Sequence, residues 1–137
     1  MSLVIDASVA IKWVVPETGT AAALALRRQQ LFAPDLLIAE CANVLWKKVR
    51  RNELSEVEAL LAARLIERAD IELRPMRPLL ELATQLAIRL DHSAYDCIYL
   101  ALAEKTSGEF VTADASLHRK VAATQFAERI RLLDTAA

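Results

Sequence analysis

The sequence predicts an α/β fold: a single three-layer domain over residues 1–137, with a mostly parallel central sheet flanked by helices. Three observations carry that expectation. Short apolar runs of strand length alternate with longer segments of helical periodicity, the order from which sheets covered on both faces are built. At 137 residues and 55% apolar composition, the chain is of a size that buries roughly 68 to 70% of its unfolded surface, enough for one full core. Acidic residues also stand at or just past two of the strand-like runs, where open α/β sheets place their ligand sites.

The elements follow in order. Leu3 to Asp6 reads as a strand that runs from Leu3-Val4-Ile5 into an acid, followed by helical patterns over Val9 to Val14 and Thr20 to Gln29. A second strand, around Leu31 to Ala33, is weakly marked. Pro34 then precedes a long helix over Asp35 to Arg51, and Ser55 with Glu58 forms a capping-box pattern for the helix Glu56 to Arg68. A strand over Ile71 to Arg74 leads to helices over Pro78 to Leu90 and Ala94 to Lys105, the latter ended by Gly108. The remaining elements are a strand at Glu109 to Thr112, a helix at Ala115 to Thr124 and a strand at Ile130 to Leu133.

Composition excludes several classes. Lys plus Arg is 17 and Asp plus Glu is 18, so the net charge is 17 − 18 = −1 and there is no global attraction to a polyanion; nucleic-acid binding has to be local. With two glycines, the phosphate-cradling loops of dinucleotide-binding and P-loop proteins are absent. Cys41 and Cys97 lie in apolar helical contexts without C-x-x-C spacing, which argues for small buried hydrophobes in a reducing cytosol and against a zinc site or disulfide framework. Without a long apolar span or signal-like leader, a soluble cytoplasmic protein is expected, with no membrane partner.

Asp6, Glu40, Asp96 and Asp114 are the candidate chemistry, because each stands in a predominantly apolar segment. Burying an unpartnered carboxylate costs several kcal/mol or forces protonation, and an oxygen-seeking divalent ion would remove that cost. Each acid also has a simpler role. Asp6 and Asp114 can cap helices, Asp96 can close a capping box with Ser93, and Glu40 can sit on a solvated face. On the helix after Pro34, Glu40, Asn43, Lys47 and the Arg50/Arg51 pair form one polar stripe, which reads as a gradient from a metal-binding acid to a basic run for a phosphate backbone. Lys47, Lys48, Arg50 and Arg51 are the candidate contacts to such a backbone, or ordinary surface. Ser8 and Thr112, two residues from Asp6 and Asp114, offer hydroxyls to a carboxylate or serve as turn residues. His92 and His118 lack metal-type spacing and a nucleophile partner, so neither is given a catalytic role.

Taken together, Asp6-Ala7-Ser8 after an N-terminal strand, Glu40 with Asn43, Tyr95-Asp96-Cys97-Ile98-Tyr99-Leu100-Ala101-Leu102-Ala103, and Phe110-Val111-Thr112-Ala113-Asp114 resemble a PIN-domain ribonuclease, most closely the VapC-type toxins of toxin–antitoxin pairs. The resemblance covers nearly the whole chain in order and spacing. It implies a PIN-like fold and an acidic quartet of Asp6, Glu40, Asp96 and Asp114 that binds Mg2+ or Mn2+, supported by Ser8, Asn43 and Thr112. It also implies endonucleolytic hydrolysis of RNA phosphodiester bonds, a homodimer, and inhibition by a VapB-type antitoxin protein. Two alternatives stand beside it: a metal-dependent phosphohydrolase on a similar fold, and a non-catalytic domain that binds RNA or a partner. A phosphatase of the first kind would place a second Asp two residues after Asp6, and a receiver-like domain on such a fold would have an acidic pair near the first strand with a later Lys; neither pattern is evident.

Overall fold

A computed structural model describes residues 2–134. The strands are β1 (Leu3–Ile5), β2 (Leu31–Pro34), β3 (Glu72–Arg74), β4 (Glu109–Thr112) and β5 (Ile130–Leu132). They form one sheet in the order β3-β2-β1-β4-β5, with every neighbouring pair parallel. Parallel neighbours cannot be joined by tight hairpins, so each link carries helix. Helices α1 (Ala7–Val14) and α2 (Thr20–Leu26) join β1 to β2, and α3 (Leu36–Arg50) and α4 (Glu56–Glu67) join β2 to β3. Helices α5 (Leu80–Leu90) and α6 (Ala94–Lys105) then lead to β4, and α7 (Ala115–Ala122) leads to β5.

This order puts β1 at the point where the winding reverses, with β2 on one side and β4 on the other. Leu3, Val4 and Ile5 are all buried, as the continuous apolar run requires of a strand covered on both faces. The helices pack in two groups: α1 touches α2, α3 and α4, while α5 lies on α6. Helix α6 crosses β1, β2 and β4 and buries Cys97 and every residue from Tyr99 to Ala103, so little polar face remains to it. The Tyr99 ring stacks on Phe110 of β4 at a centroid distance of 5.6 Å, a pairing worth about 0.5 to 1.5 kcal/mol beyond its burial.

The strands and helices fall where the sequence places them, with instructive differences at their ends. The weakly marked second strand is wholly buried between β1 and β3, and Pro34, with no N–H to donate, ends it. Helix α2 stops at Leu26, leaving Arg27 to Gln29 in turns. The capping box at α4 forms as expected: Ser55 accepts from the Glu58 amide, and the Glu58 carboxylate accepts from the Ser55 amide. Gly108 acts differently from expectation. The left-handed residue after α6 is Ser107, with φ 54°, while Gly108 donates to Ala103 O at 2.8 Å to complete the cap. Glycine is needed there because a Cβ would lie 2.3 Å from the backbone oxygen of Ser2, which runs alongside.

Candidate active site at the strand ends

Asp6 is the first residue after β1 and occupies the N-cap of α1, yet its side chain makes no cap bond. Its backbone oxygen alone serves the helix, accepting from the Val9 and Ala10 amides. The carboxylate is held from elsewhere: Ser8 Oγ donates to Oδ1, and Thr112 Oγ1, at the end of β4, donates to Oδ2 at 2.7 Å. Those hydroxyls in turn accept from backbone, Ser8 from the Ala113 amide at 2.9 Å and Thr112 from the Asp114 amide at 3.1 Å. A hydroxyl has one proton, and both protons are committed to Asp6, so the 3.3 Å approach of Ser8 Oγ to Thr112 Oγ1 adds no further bond. This latch joins the ends of β1 and β4 and fixes Asp6 in a buried position, where it is 7% exposed.

Burial pushes the Asp6 carboxyl up from 3.8 to about 6; its two hydroxyl partners oppose the shift, while Asp96 and Glu40 add to it. Glu40, half-buried on α3, is also raised by burial and further by Asp96, with the Tyr99 hydroxyl holding it down. That hydroxyl is buried and makes no formed hydrogen bond; it lies near enough to Glu40 to be felt, and it is itself raised well above the usual tyrosine range, by burial first. The thiols go the same way. Burial, with Glu40 and Asp6 adding, pushes Cys41 up to about 12, and burial with Asp96 pushes Cys97 up to about 11. Protonated thiols are neither nucleophiles nor soft-metal ligands, in keeping with their reading as small hydrophobes.

Asp96 lies in the first turn of α6, but the capping box with Ser93, the simpler role its spacing allows, does not form. Ser93 Oγ accepts from the Tyr95 amide, and the Asp96 carboxylate instead accepts from His92 Nε2 at 2.7 Å. Asp114 does serve as a cap, accepting from the Leu117 amide at 3.1 Å at the start of α7.

All four acids line one open cleft of about 490 Å³, together with Ser8, Asn43, Lys47 and Tyr95. Among the described residues no Lys or Arg forms a salt bridge with any of the four. No three of the described His, Cys, Asp and Glu side chains close into a ready-made ligand cage; the acids face a shared space across its walls. The basic run divides. Lys47 reaches the cleft, Lys48 turns to Glu17 at 3.3 Å, Arg50 lies over the Trp46 ring, and Arg51 forms the exposed C-cap of the helix. Thr112 is fully buried behind the site and supports Asp6 and Asp114 from there.

Three residues at the site escape the sequence reading. Tyr99 is hidden in a run that reads as core, and Tyr95 has no pattern to mark it. His92 could have been found, because it stands four residues before Asp96 across a helix start, where i and i+4 share a face.

Such a site, with acids gathered at the carboxyl ends of β1 and β4 where the winding reverses, defines a doubly wound α/β domain with its cleft at the topological switch point, where folds of this class bind their ligands. Residues 3–123 match the PIN domain family. Ribonuclease VapC3 of Pyrobaculum aerophilum is 35% identical over 88% of this chain and 95% of its own length. Ribonuclease VapC9 of Mycobacterium tuberculosis is 32% identical over 84% and 87%. The chain belongs to the PIN-domain family, in its VapC branch. Among solved structures, PAE2754 from Pyrobaculum aerophilum superposes with a TM-score of 0.71 at 24% identity, covering 99% of this chain and 92% of that one. VapC20 of Mycobacterium tuberculosis, a toxin that cleaves the sarcin–ricin loop, gives a TM-score of 0.66 at 16% identity over 85% and 93%. At those identities the likeness is one of fold. No helix among the described residues is long and apolar enough to cross a membrane.

Proposed function

We propose that this chain is a metal-dependent endoribonuclease, the toxin of a toxin–antitoxin pair, and that Asp6, Glu40, Asp96 and Asp114 hold Mg2+ or Mn2+ in the cleft. One observation carries the metal reading: a buried carboxylate, Asp6, is raised to about 6 while facing two more acids, with no basic side chain paired to it. A hard divalent cation relieves that arrangement, and the donor set, all carboxylate oxygen, is the one such ions prefer. Mg2+ in particular keeps several waters and needs only one or two carboxylates, so a preformed cage of protein ligands is not required.

Bound there, the ion supplies charge neutralisation and Lewis-acid polarisation at the scissile phosphate. The chain's own residues do the rest. The Ser8 and Thr112 hydroxyls keep Asp6 ionisable in its buried place, because bonds to the charged form favour that form. Lys47, on the cleft wall, offers a point charge to the phosphate backbone. Among the described residues no side chain is poised as a nucleophile: the Ser8 oxygen accepts from the Ala113 amide and so turns a lone pair to the backbone, and the cysteines are held protonated. In this proposal water attacks and the 3′ oxygen leaves, so the products carry 5′ phosphate and 3′ hydroxyl ends, whereas attack by the ribose 2′ hydroxyl would leave a 2′,3′-cyclic phosphate and a 5′ hydroxyl. A cytoplasmic location, a homodimer and a VapB-type antitoxin complete the proposal on the strength of the VapC relatives.

The test is cleavage of structured RNA by purified protein freed of any partner. Activity is expected with Mg2+ or Mn2+ and none with EDTA, and full activity in excess EDTA overturns the reading. Co-expression with the product of the adjacent reading frame, followed by mass measurement of the complex and of the free protein, tests antitoxin and dimer together.

A further inference from the structure

We infer that His92 is a positioning residue for the metal site, holding the Asp96 carboxylate by one oxygen and leaving the other to the cleft. The inference rests on the metal-dependent reading above. Its geometric basis is the 2.7 Å bond from His92 Nε2 to Asp96 Oδ2. A carboxylate only accepts, so the ring nitrogen donates. Asp96 lines the cleft and His92 does not, which places the histidine behind the acid rather than in contact with substrate.

The backbone around His92 is fixed from several sides. Asp91 ends α5 in the left-handed region, at φ 49°. Its carbonyl accepts from the Lys120 ammonium of α7, and the His92 amide closes on Ala87 O at 3.2 Å. Ser93 follows directly as the cap of α6. A three-residue link between two helices, held at both ends and tied to a third, presents the imidazole in one place. Only about a fifth of the His92 side chain is exposed, at 21%.

The other three acids make the pattern clear. Asp6 has the Ser8 and Thr112 hydroxyls, Glu40 has the nearby Tyr99 hydroxyl, and Asp114 has the Leu117 amide. Asp6 and Asp114 are anchored by formed bonds from their own surroundings, Glu40 has only a hydroxyl nearby, and His92 is the anchoring donor for Asp96. Partners of this kind fix which lone pairs a ligand turns to the metal, and their loss costs 10- to 100-fold in metal affinity or activity. The competing account is an ordinary i, i+4 contact that steadies the start of α6 and does nothing for the metal.

Mn2+ binding to the full-length protein separates the two without RNA or turnover, read from the loss of the free-ion electron paramagnetic resonance signal and paired with thermal melts in EDTA. His92→Ala is expected to weaken Mn2+ binding by about 10- to 100-fold while melting with the wild type in EDTA. His92→Gln, whose amide nitrogen stands about as far from the backbone as Nε2, is expected to restore most of the affinity. A His92→Ala protein that binds Mn2+ as tightly as the wild type overturns the inference. So does one whose affinity and EDTA melting temperature fall together and are not rescued by Gln, because that is the signature of a structural contact. A wild type that binds no Mn2+ refutes the metal reading itself, a result distinct from an unchanged variant.

Discussion

Replacing Asp6 with Asn is expected to make the metal-free protein more stable. Asp6 is 7% exposed, and its carboxyl rises from 3.8 to about 6, by burial first and with Asp96 and Glu40 adding. Two pKa units at roughly 1.36 kcal/mol each make a cost of about 3 kcal/mol for holding the ionised group in the folded chain. Because the folded value lies above the unfolded one, the stabilisation from the protonated group is fully present below 3.8 and is lost as pH rises through about 6. Asn cannot ionise and escapes the loss, but it offers one acceptor where the carboxylate gave two. Either Ser8 or Thr112 must then turn its hydroxyl, at about 1 kcal/mol. The balance is a gain of about 2 kcal/mol, a rise in Tm on the order of 8 °C at about pH 7.5 in EDTA.

Differential scanning of both proteins in EDTA across pH, and again with Mn2+, is the assay. The gap between Asn variant and wild type should shrink towards pH 5, where Asp6 is mostly protonated, and disappear or reverse with Mn2+. Saturating ion stabilises only a protein that binds it, by about 2.7 kcal/mol at a hundred times Kd. An Asn variant that melts below the wild type in EDTA at neutral pH, with a gap that pH does not change, would refute the claim that Asp6 is a strained charge awaiting a cation.

Asp96→Asn should abolish cleavage and erase the Mn2+ stabilisation, while the metal-free variant melts at or above the wild type, since it relieves Asp6 and Glu40 of a like charge; a variant that is still active and still stabilised by Mn2+ removes Asp96 from the site. Thr112→Val takes a donor from Asp6 and an acceptor from the Asp114 amide at a fully buried position, and should cost about 1 to 3 kcal/mol in urea melts together with activity. Lys47→Glu should lower the slope of log binding constant against log salt for RNA by about one. Lys48→Glu, which breaks the bridge to Glu17, should leave that slope where it was; equal effects from the two would dissolve the distinction between a cleft lysine and a structural one.

The fold was legible because its signals are local and repeated: apolar runs of strand length punctuated by helical periodicity survive even at β2, where the run is only Leu31 to Ala33 between polar residues and a proline. The polar residues of the site were legible for the opposite reason, as acids out of place in apolar segments. What could not be read is which contact each acid makes. Ser93 and Asp96 have the spacing of a capping box, and so do Ser55 and Glu58, but the second forms and the first does not. Ser93 gives its oxygen to the Tyr95 amide and Asp96 turns to His92, a competitor four residues away that Glu58 lacks. Gly108 shows the same limit, since its reason for being glycine lies in the Ser2 backbone more than a hundred residues earlier in the chain. The basic run looked uniform in sequence, and only the bridge from Lys48 to Glu17 and the stacking of Arg50 on the Trp46 ring of the same helix separate those two from Lys47.

The latch at Asp6 links fold to chemistry. Thr112 and Ser8 come from the ends of β4 and α1, and they can share one carboxylate only because β1 and β4 are parallel neighbours in a register that pairs Ile5 with Val111. Parallel pairing sends both strands out of the sheet in the same direction, so the residues that follow them, Asp6 and Ala113-Asp114, emerge side by side. An antiparallel β4 would deliver its C-terminal acid to the opposite edge. The winding reversal at β1 opens the space between the strand ends, into which α3 brings Glu40 and α6 brings Asp96. Burying Asp6 there, with Asp96 and Glu40 adding, costs about 3 kcal/mol, a large fraction of the roughly 5 to 15 kcal/mol typical of a domain. The dense apolar core around β1 and α6 has to carry that cost, and if the proposed metal reading holds, a bound cation offsets it and the stability of this protein should rise with divalent metal more steeply than its surface charge suggests.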